Sequence, residues 1–155
     1  MKRVHHFMTE LGAMYAVEEN GAITEVRLPG ESEPAGERMA TPLLKKTAAQ
    51  ITEYLAGKRK EFAVPLALNG TEFASKVWKE MSAIPYGEVR TYGELAKAIG
   101  RPGAARAVGQ ACNRNPIPII VPCHRVVGTG GKLTGYAGGL TLKKRLLELE
   151  KDASL

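Results

Sequence analysis

The segment Val121–Arg125 places a thiol, Cys123, beside an imidazole, His124, and this pair is the first candidate for chemistry. A cysteine becomes a nucleophile when it ionises, which requires a neighbouring base, cation or helix N-terminus to lower its pKa. Adjacency alone does not provide this, because successive side chains of an extended strand point to opposite faces. The two residues can cooperate only if the backbone turns sharply or a water bridges them. A buried, inert thiol is the alternative.

A histidine that acts as a base works best when a third group orients it. Glu150 is the candidate, because it follows Leu146 by one turn in a helix predicted over Thr141–Glu150. Leu142, Leu146 and Leu149 form the predicted buried stripe of that helix, and Glu150 falls at its edge. The alternative is an exposed charge near the C-terminus.

Two short helices precede the cysteine and predict a helix-turn-helix. Thr91 and Glu94 match the capping box that opens a helix. That helix ends at Gly100, and a second one is predicted over Gly103–Cys112 after a three-residue turn. The second helix has little side-chain bulk, so its backbone could approach another surface closely. Its small residues are Ala104, Ala105, Ala107, Gly109 and Ala111.

A tightly packed core helix would also have small residues. Arg106 and Gln110 lie one turn apart on one face, which weighs against full burial of the second helix.

Composition favours an anionic partner. The chain has 155 residues, a formal net charge of +6 and a pI near 9.4, which points weakly to nucleic acid. Two cysteines, Cys112 and Cys123, are too few for a disulfide scaffold. The three histidines show no zinc-binding spacing, and no stretch is long and apolar enough for a membrane span or a signal peptide. We therefore expect no metal site and no membrane span.

The first part of the chain predicts strands and one helix. Gly12–Glu18 and Ile23–Leu28 flank Asn20-Gly21, a strong hairpin signal, and His5–Thr9 is a possible third strand. Pro29–Gly36 has the composition of a loop.

Thr41-Pro42 then opens a helix that Gly57 ends. Its buried positions are predicted at Leu44, Ala48, Ile51 and Leu55. An extended connector follows over Lys58–Gly70, which predicts two domains, residues 1–69 and 70–155.

Four ordered blocks of the second part resemble the O6-alkylguanine-DNA alkyltransferases, also called methylated-DNA–protein-cysteine methyltransferases. The resemblance covers nearly everything from about Thr71 to Glu150. The blocks are Tyr86–Ala96, Ala104–Gly109, Asn115–Val126 and Gly135–Leu140.

The resemblance implies an α+β fold and a suicide DNA-repair activity. The N-terminal domain would be a small antiparallel sheet plus a helix, like ribonuclease H, and the C-terminal domain mostly helical, winged-helix-like, with the helix-turn-helix. The protein would act as a monomer on duplex DNA containing O6-alkylguanine, with O4-alkylthymine as a further substrate left open. Family members bind through the minor groove, flip the damaged base and transfer its alkyl group irreversibly to a cysteine, without a cofactor. Such a protein would be cytoplasmic, or nuclear in a eukaryote.

The resemblance also implies a role for each matching residue. Cys123 would be the alkyl acceptor, His124 its base through a water, Glu150 the group that orients His124, and Asn115 the residue that holds the active-site turn. Four residues would bind the substrate. Tyr92 would contact it through its ring, Val126 and Ala137 would contact it through their backbones, and Tyr136 would form part of the pocket wall. Arg106 would be the finger that fills the gap left in the duplex by the flipped base. The other DNA-binding residues would be the small residues Ala104, Ala105, Ala107 and Gly109, together with Arg101, Arg125 and Thr129. Arg125 would also brace the site.

Two departures from the family pattern stand out. Arg101 replaces an asparagine found in some members, and Ala137 replaces a serine. Three other classes of protein share part of this pattern. A non-catalytic alkyl-lesion-binding protein would lack Cys123, a sequence-reading regulator would need base-reading side chains on its second helix, and a Cys-His hydrolase would turn over repeatedly.

Overall fold

A computed structural model describes residues 1–153, and its N-terminal part is built on the predicted hairpin. Strands β1 (Lys2–Thr9) and β2 (Gly12–Glu19) pair antiparallel, and β2 pairs in the same way with β3 (Ala22–Arg27). Asn20 and Gly21 both have positive φ, 53° and 79°. This conformation defines the two-residue turn that Asn-Gly favours, so the hairpin prediction is confirmed.

The sheet contains one parallel pair that the sequence did not predict. A two-residue strand, β4 (Glu37–Arg38), follows the predicted loop and pairs parallel with β1 at Arg3 and Val4. The strand order is β3-β2-β1-β4, so the sheet is mixed rather than wholly antiparallel. The loop after β3 crosses the sheet before β4 begins, and this crossover makes β4 run in the direction of β1.

Helix α1 (Pro42–Leu55) packs on β1 and β2 and covers the apolar face of the sheet. The hydroxyl of Thr41 caps the helix by accepting a hydrogen bond from the backbone N–H of Leu44 at 3.1 Å. All four predicted apolar positions of α1 are buried. The chain leaves the helix through Gly57, whose φ of 75° suits glycine.

The connector after α1 lies along β3. The N–H of Ile23 donates to the carbonyl of Pro65 at 2.8 Å, and the N–H of Ala67 donates back to Ile23 at 2.9 Å. The N–H of Val26 donates to the carbonyl of Pro116. Residues 1–69 therefore form one compact unit together with Pro116–Pro118, a segment from far along the chain.

The second unit comprises Gly70–Asn115 and the described residues from Ile119 onward. Its elements are α2 (Glu72–Ser82), β5 (Arg90–Thr91), α3 (Tyr92–Ala98), α4 (Ala105–Asn113), a 3-10 turn (Cys123–Arg125), β6 (Val126–Val127), a second 3-10 turn (Thr129–Gly131) and α5 (Leu140–Ala153). Strands β5 and β6 pair parallel. An α+β fold is confirmed. Among residues 1–153, no helix has the length and apolar character needed to cross a bilayer.

Helices α3 and α4 pack against each other as the predicted helix-turn-helix. The capping box is present: the N–H of Glu94 donates to the Thr91 hydroxyl at 3.0 Å, and the N–H of Thr91 donates to the Glu94 carboxylate at 2.9 Å. The predicted three-residue turn was too short. The helices are separated by Ile99–Ala104, because the backbone first leaves α3 through Gly100, with φ of 78°.

The buried stripe of α5 differs from the predicted leucine stripe. Lys143, Leu146 and Glu150 are buried, whereas Leu142 and Leu149 are half-buried. Positions three and seven residues apart share one helical face, so the buried face carries two charged groups on either side of Leu146.

Candidate active site

The backbone around Cys123 turns sharply. The alternation of side chains along an extended strand therefore does not separate Cys123 from His124. Pro122 has φ −82° and ψ 65°, and the N–H of Cys123 donates to the carbonyl of Val121 at 2.8 Å. These values define an inverse γ-turn, and the 3-10 turn Cys123–Arg125 follows at once. A turn built in this way need not place adjacent side chains on opposite faces.

Two further features hold this turn. The amide nitrogen Nδ2 of Asn115 donates to the same Val121 carbonyl at 2.8 Å. Ile119 has a positive φ of 73°, which a β-branched residue adopts only where its surroundings enforce it. Its side chain is buried, so packing stabilises this strained backbone four residues before the thiol.

A buried network of three ionisable side chains lies beside the thiol. Nε2 of His124 is 2.6 Å from Oε2 of Glu150. Arg125 donates to both carboxylate oxygens of Glu150, at 2.8 and 3.0 Å, and to the carbonyl of Ile84 at 2.7 Å. The N–H of Gly87 also donates to Glu150, at 3.1 Å. His124, Glu150 and Arg125 are 0%, 1% and 7% exposed, so water does not weaken these contacts.

The network fixes which ring nitrogen of His124 can act as a base. An ionised carboxylate only accepts hydrogen bonds, so Nε2 must carry the hydrogen that faces Glu150. Nδ1 is then the nitrogen that can take a proton. Burial lowers the pKa of His124, against the opposing effect of Glu150, so the ring is neutral near pH 7 and available as a base.

Burial also raises the pKa of the Cys123 thiol, which is 6% exposed. The Asn115 amide and the charge of Lys143 act in the opposite direction. Cys123 is therefore a neutral thiol near pH 7, and its ionisation requires a base.

The structure brings a lysine into this site that the sequence analysis missed. Lys143 is 0% exposed, and its Nζ donates to the carbonyls of Thr134 and Gly135 at 2.8 and 3.2 Å. The hydroxyl of Tyr92 donates to the same Thr134 carbonyl at 3.1 Å. Lys143 lies seven residues before Glu150 on α5, so helical spacing from Glu150 was the signal that could have found it.

The predicted DNA-binding helix α4 has one buried and one open face. Val108, Ala111 and Cys112 are buried, whereas Arg106 and Gln110 are exposed. The alternative that α4 is a core helix buried on all sides is therefore excluded. Ala107 is exposed, and Ala104, Ala105 and Gly109 are half-buried, so the small residues border the open face.

Helix α4 is anchored at its last turn. The indole N–H of Trp78 donates to the carbonyl of Ala111 at 2.9 Å, and the Cys112 sulfur lies 3.3 Å from that of Met81. Burial raises the pKa of Cys112 to about 12, so this thiol stays protonated.

The remaining predicted residues take different positions. Thr129, Ala137 and Arg101 are exposed, Tyr136 is half-buried, and Val126 is buried in β6. The Arg101 guanidinium lies 5.8 Å from the ring centroid of Phe73.

Arg125 is buried in the interior. Its guanidinium is bonded to Glu150 and Ile84, which disfavours the predicted DNA contact and leaves the bracing of the site as the prediction for this residue. A buried guanidinium that left its carboxylate would lose the negative charge that offsets the cost of its burial. Within residues 1–153 there is no group of three or more His, Cys, Asp or Glu that could hold a metal ion.

Comparison with known families accounts for both units of the chain. Residues 72–152 match the family described as 6-O-methylguanine DNA methyltransferase, DNA binding domain. Residues 3–68 match the family described as 6-O-methylguanine DNA methyltransferase, ribonuclease-like domain. The chain belongs to the 6-O-methylguanine DNA methyltransferase family.

Individual relatives agree with this assignment. A methylated-DNA–protein-cysteine methyltransferase of Mycobacterium bovis is 62% identical over 103 residues, which is 66% of this chain and 62% of that protein. The aligned stretch thus spans less than two thirds of that relative. One from Methanosarcina acetivorans is 60% identical over 106 residues, 68% of each chain.

Among solved structures, the Mycobacterium tuberculosis protein OGT in complex with DNA matches with a TM-score of 0.91 and 44% identity. The match covers 97% of this chain and 94% of that one.

Proposed function

We propose that this protein repairs DNA by transferring the alkyl group of O6-alkylguanine to Cys123, once per molecule. The observation that carries the proposal is the turn that presents a buried thiol next to a neutral, carboxylate-bound histidine. Membership in the methyltransferase family supports it independently.

In the proposed reaction, His124 takes the thiol proton through a water, and the sulfur attacks the alkyl carbon. The sulfur–carbon bond forms while the bond between that carbon and O6 breaks, and its electron pair stays with the guanine. The guanine takes up one proton, which balances the proton lost by the thiol. A thiol and an alkylguanine thus become a thioether and guanine, with no cofactor consumed. Because a thioether is stable, the protein does not turn over.

The open face of α4 is the proposed DNA contact. The minor groove is about 6 Å wide, so a helix that enters it needs small residues at the contact. Ala104, Ala105, Ala107 and Gly109 meet this need, and Arg101 and Thr129 supply flanking polar groups. Contact with phosphates makes the binding weaken as salt rises, with little sequence preference. A repair protein of this kind works as a monomer in the compartment of the chromosome, the cytoplasm in a prokaryote.

Reaction at O6 requires the damaged base to leave the stack. Arg106, exposed on α4, would fill the gap in the duplex, and Tyr92 would lie against the rotated nucleotide. Val126, Tyr136 and Ala137 would then contact the guanine edge or close the pocket around it.

The decisive experiment uses duplex DNA carrying O6-methylguanine with a radiolabelled methyl group. We expect at most one label per protein molecule, and peptide mapping should place it on Cys123. Cys123→Ala should take up none, whereas the matched control Cys112→Ala should label normally. Repeated turnover would assign the protein to the hydrolases. Unlabelled wild-type protein that still binds the lesion would assign it to the non-catalytic lesion-binding proteins.

The flipping step is tested with Arg106→Ala. Only duplex DNA requires flipping, so this variant should lose about tenfold or more in rate on the duplex, yet react normally with free O6-benzylguanine. Equal losses on the two substrates would remove Arg106 from the flipping step.

A further inference from the structure

The turn between α2 and β5, Ile84–Gly87, lies against the buried pair of Arg125 and Glu150. Nη1 of Arg125 donates to the carbonyl of Ile84 at 2.7 Å, and Ile84 is 3% exposed. The guanidinium carbon of Arg125 lies 5.6 Å from the centroid of the Tyr86 ring, within the range of a cation–π contact. This segment, the α2–β5 turn, therefore holds Arg125 by a backbone carbonyl and by an aromatic ring.

Gly87 brings the same turn to the carboxylate of Glu150. The N–H of Glu88 donates to the carbonyl of Pro85 at 3.1 Å, and Gly87 has φ of 81°. These features are those of a type II turn with Gly87 at its third position, where a positive φ favours glycine. A type II turn reverses the central peptide relative to a type I turn, and the N–H of that peptide belongs to Gly87. The turn type therefore decides whether this N–H faces Glu150, to which it donates at 3.1 Å.

The two carboxylate oxygens of Glu150 have different neighbours. Oε1 accepts from the N–H of Gly87 and from Nε of Arg125. Oε2 accepts from Nη2 of Arg125 and lies 2.6 Å from Nε2 of His124. Rotation of the carboxylate would move both oxygens at once, so a donor that holds Oε1 also fixes Oε2 against the histidine. The ring of His124 takes its orientation from that contact, which leaves Nδ1 to act as the base.

We propose that the α2–β5 turn positions the base of the alkyl-transfer site, with Tyr86 and Gly87 as its positioning residues. Tyr86 supports the guanidinium of Arg125. Gly87 holds Oε1 of Glu150, and this carboxylate orients His124. The inference rests on the proposed function. Neither positioning residue is among those proposed to contact the guanine, so the turn affects the rate of proton removal and not the binding of substrate.

Two substitutions in the turn test the proposal, each with a matched comparison. Tyr86→Leu removes the ring, and Tyr86→Phe keeps it. Gly87→Ala disfavours the positive φ and with it the peptide orientation, whereas Gly57→Ala introduces a similar strain, at φ of 75°, in the first unit. Each variant reacts with free O6-benzylguanine at increasing concentration, which gives the maximal rate and the half-saturating concentration separately. Rates are taken per molecule able to accept one benzyl group, so unfolded protein does not affect them.

We expect Tyr86→Leu and Gly87→Ala to lower the maximal rate about tenfold or more, because a misplacement of about 1 Å can cost roughly 100-fold. The half-saturating concentration should stay at the wild-type value in both. Tyr86→Phe should recover most of the rate lost in Tyr86→Leu, and Gly57→Ala should match the wild type. Losses no greater than those of the two comparison variants would overturn the inference. Weaker substrate binding at an unchanged maximal rate would overturn it as well.

A spectroscopic measurement distinguishes positioning from a general loss of structure. The hydrogen on Nε2 of His124 should give a downfield ¹H NMR signal, because it is bonded to a buried carboxylate. This signal should persist in Tyr86→Phe and Gly57→Ala, and it should shift or disappear in Tyr86→Leu and Gly87→Ala. An unaltered signal in the last two variants would contradict the proposed positioning.

A measurement on the unmutated protein covers the case in which the variants do not fold. The amide hydrogen of Gly87 should exchange slowly with solvent, because it is bonded to the buried carboxylate of Glu150. Exchange as fast as that of an unstructured peptide would overturn the inference. Wild-type protein that takes up no label from methylated duplex DNA would instead overturn the proposed function, so the two failures are distinct.

Discussion

The two units of the chain bury different kinds of polar side chain. In the first unit the buried polar residues are Thr47 and Gln50, both uncharged, and each bonds to a backbone group within the same unit. In the second unit the buried polar residues are ionisable: His124, Arg125, Lys143 and Glu150. Buried ionisable groups cost free energy unless they are paired. Their concentration beside one thiol supports the alkyl transfer proposed for the second unit.

The largest effect on the free energy of unfolding is expected from Glu150→Gln in the second unit. This change keeps the side-chain volume but leaves Arg125 and His124 facing an uncharged amide. Breaking a buried ion pair from one side costs about 3–5 kcal/mol. We expect a loss of that size in the free energy of unfolding, measured by urea titration. Trp78, the only tryptophan, lies in the second unit, so its fluorescence reports on the affected region.

The same substitution should slow alkyl transfer by about 100-fold, the range in which a well-placed general base contributes. The rate is measured at a temperature where the variant is folded. A variant with wild-type stability and rate would show that the charged network is dispensable and that the contrast between the two units has no functional meaning.

A smaller effect should appear in the pH dependence of stability. Burial lowers the pKa of His124, so below the ordinary histidine value near 6.5 the unfolded chain binds more protons than the folded one. Stability is therefore fully present above about pH 6.5 and falls as the pH drops, by at most about 1.4 kcal/mol per pH unit for one group. Urea titrations between pH 7 and 5 measure this slope.

His5 in the first unit provides the comparison for that slope. Its pKa is also lowered, first by burial, but the side chain is partly exposed. We expect His124→Gln to remove most of the acid-side loss and His5→Gln to remove little. If the loss of stability between pH 7 and 5 depended on His5 instead, the first unit and not the second would contain the histidine that controls stability in acid.

The smallest expected effect is that of Thr47→Val in the first unit. The Thr47 hydroxyl donates to the carbonyl of Leu43 at 2.9 Å, a bond within α1 that contributes little to helix stability. Because valine fills nearly the same volume, the free energy of unfolding should change by less than about 1 kcal/mol, with alkyl transfer unchanged. A loss as large as that of Glu150→Gln would mean that the buried polar groups of the two units carry similar weight.

Local patterns were sufficient where local chemistry decides the structure. Asn20-Gly21 predicted its turn because few other pairs tolerate two positive φ angles. Thr91 and Glu94 predicted the start of α3 because each satisfies a backbone N–H of the other. The length of the turn between α3 and α4 was wrong, since helix ends depend on tertiary packing as well as on sequence.

The buried face of α5 shows where local patterns fail. The leucines predicted one stripe, yet the helix buries Lys143 and Glu150 beside Leu146. Periodicity counts apolar residues, so it placed Glu150 only at the edge of the stripe and gave no place on it to Lys143, whose partners come from another part of the chain. The same limit hid β4, a two-residue strand stabilised only by pairing with β1.

The sequence by itself determined the candidate thiol, its neighbouring histidine, the helix-turn-helix and the hairpin, because each is encoded by residues close together along the chain. Tertiary structure alone decided that the turn at Pro122 presents Cys123 and that Arg125 turns inward to the carboxylate of Glu150, which the sequence had already proposed as the partner of His124. It also decided that Lys143 meets Thr134 and Tyr92. These contacts join α3, the active-site turn and α5: Tyr92 and Thr134 are 42 residues apart in the chain, and His124 and Glu150 are 26 apart. Only packing within one unit brings residues so distant in sequence to hydrogen-bond distance.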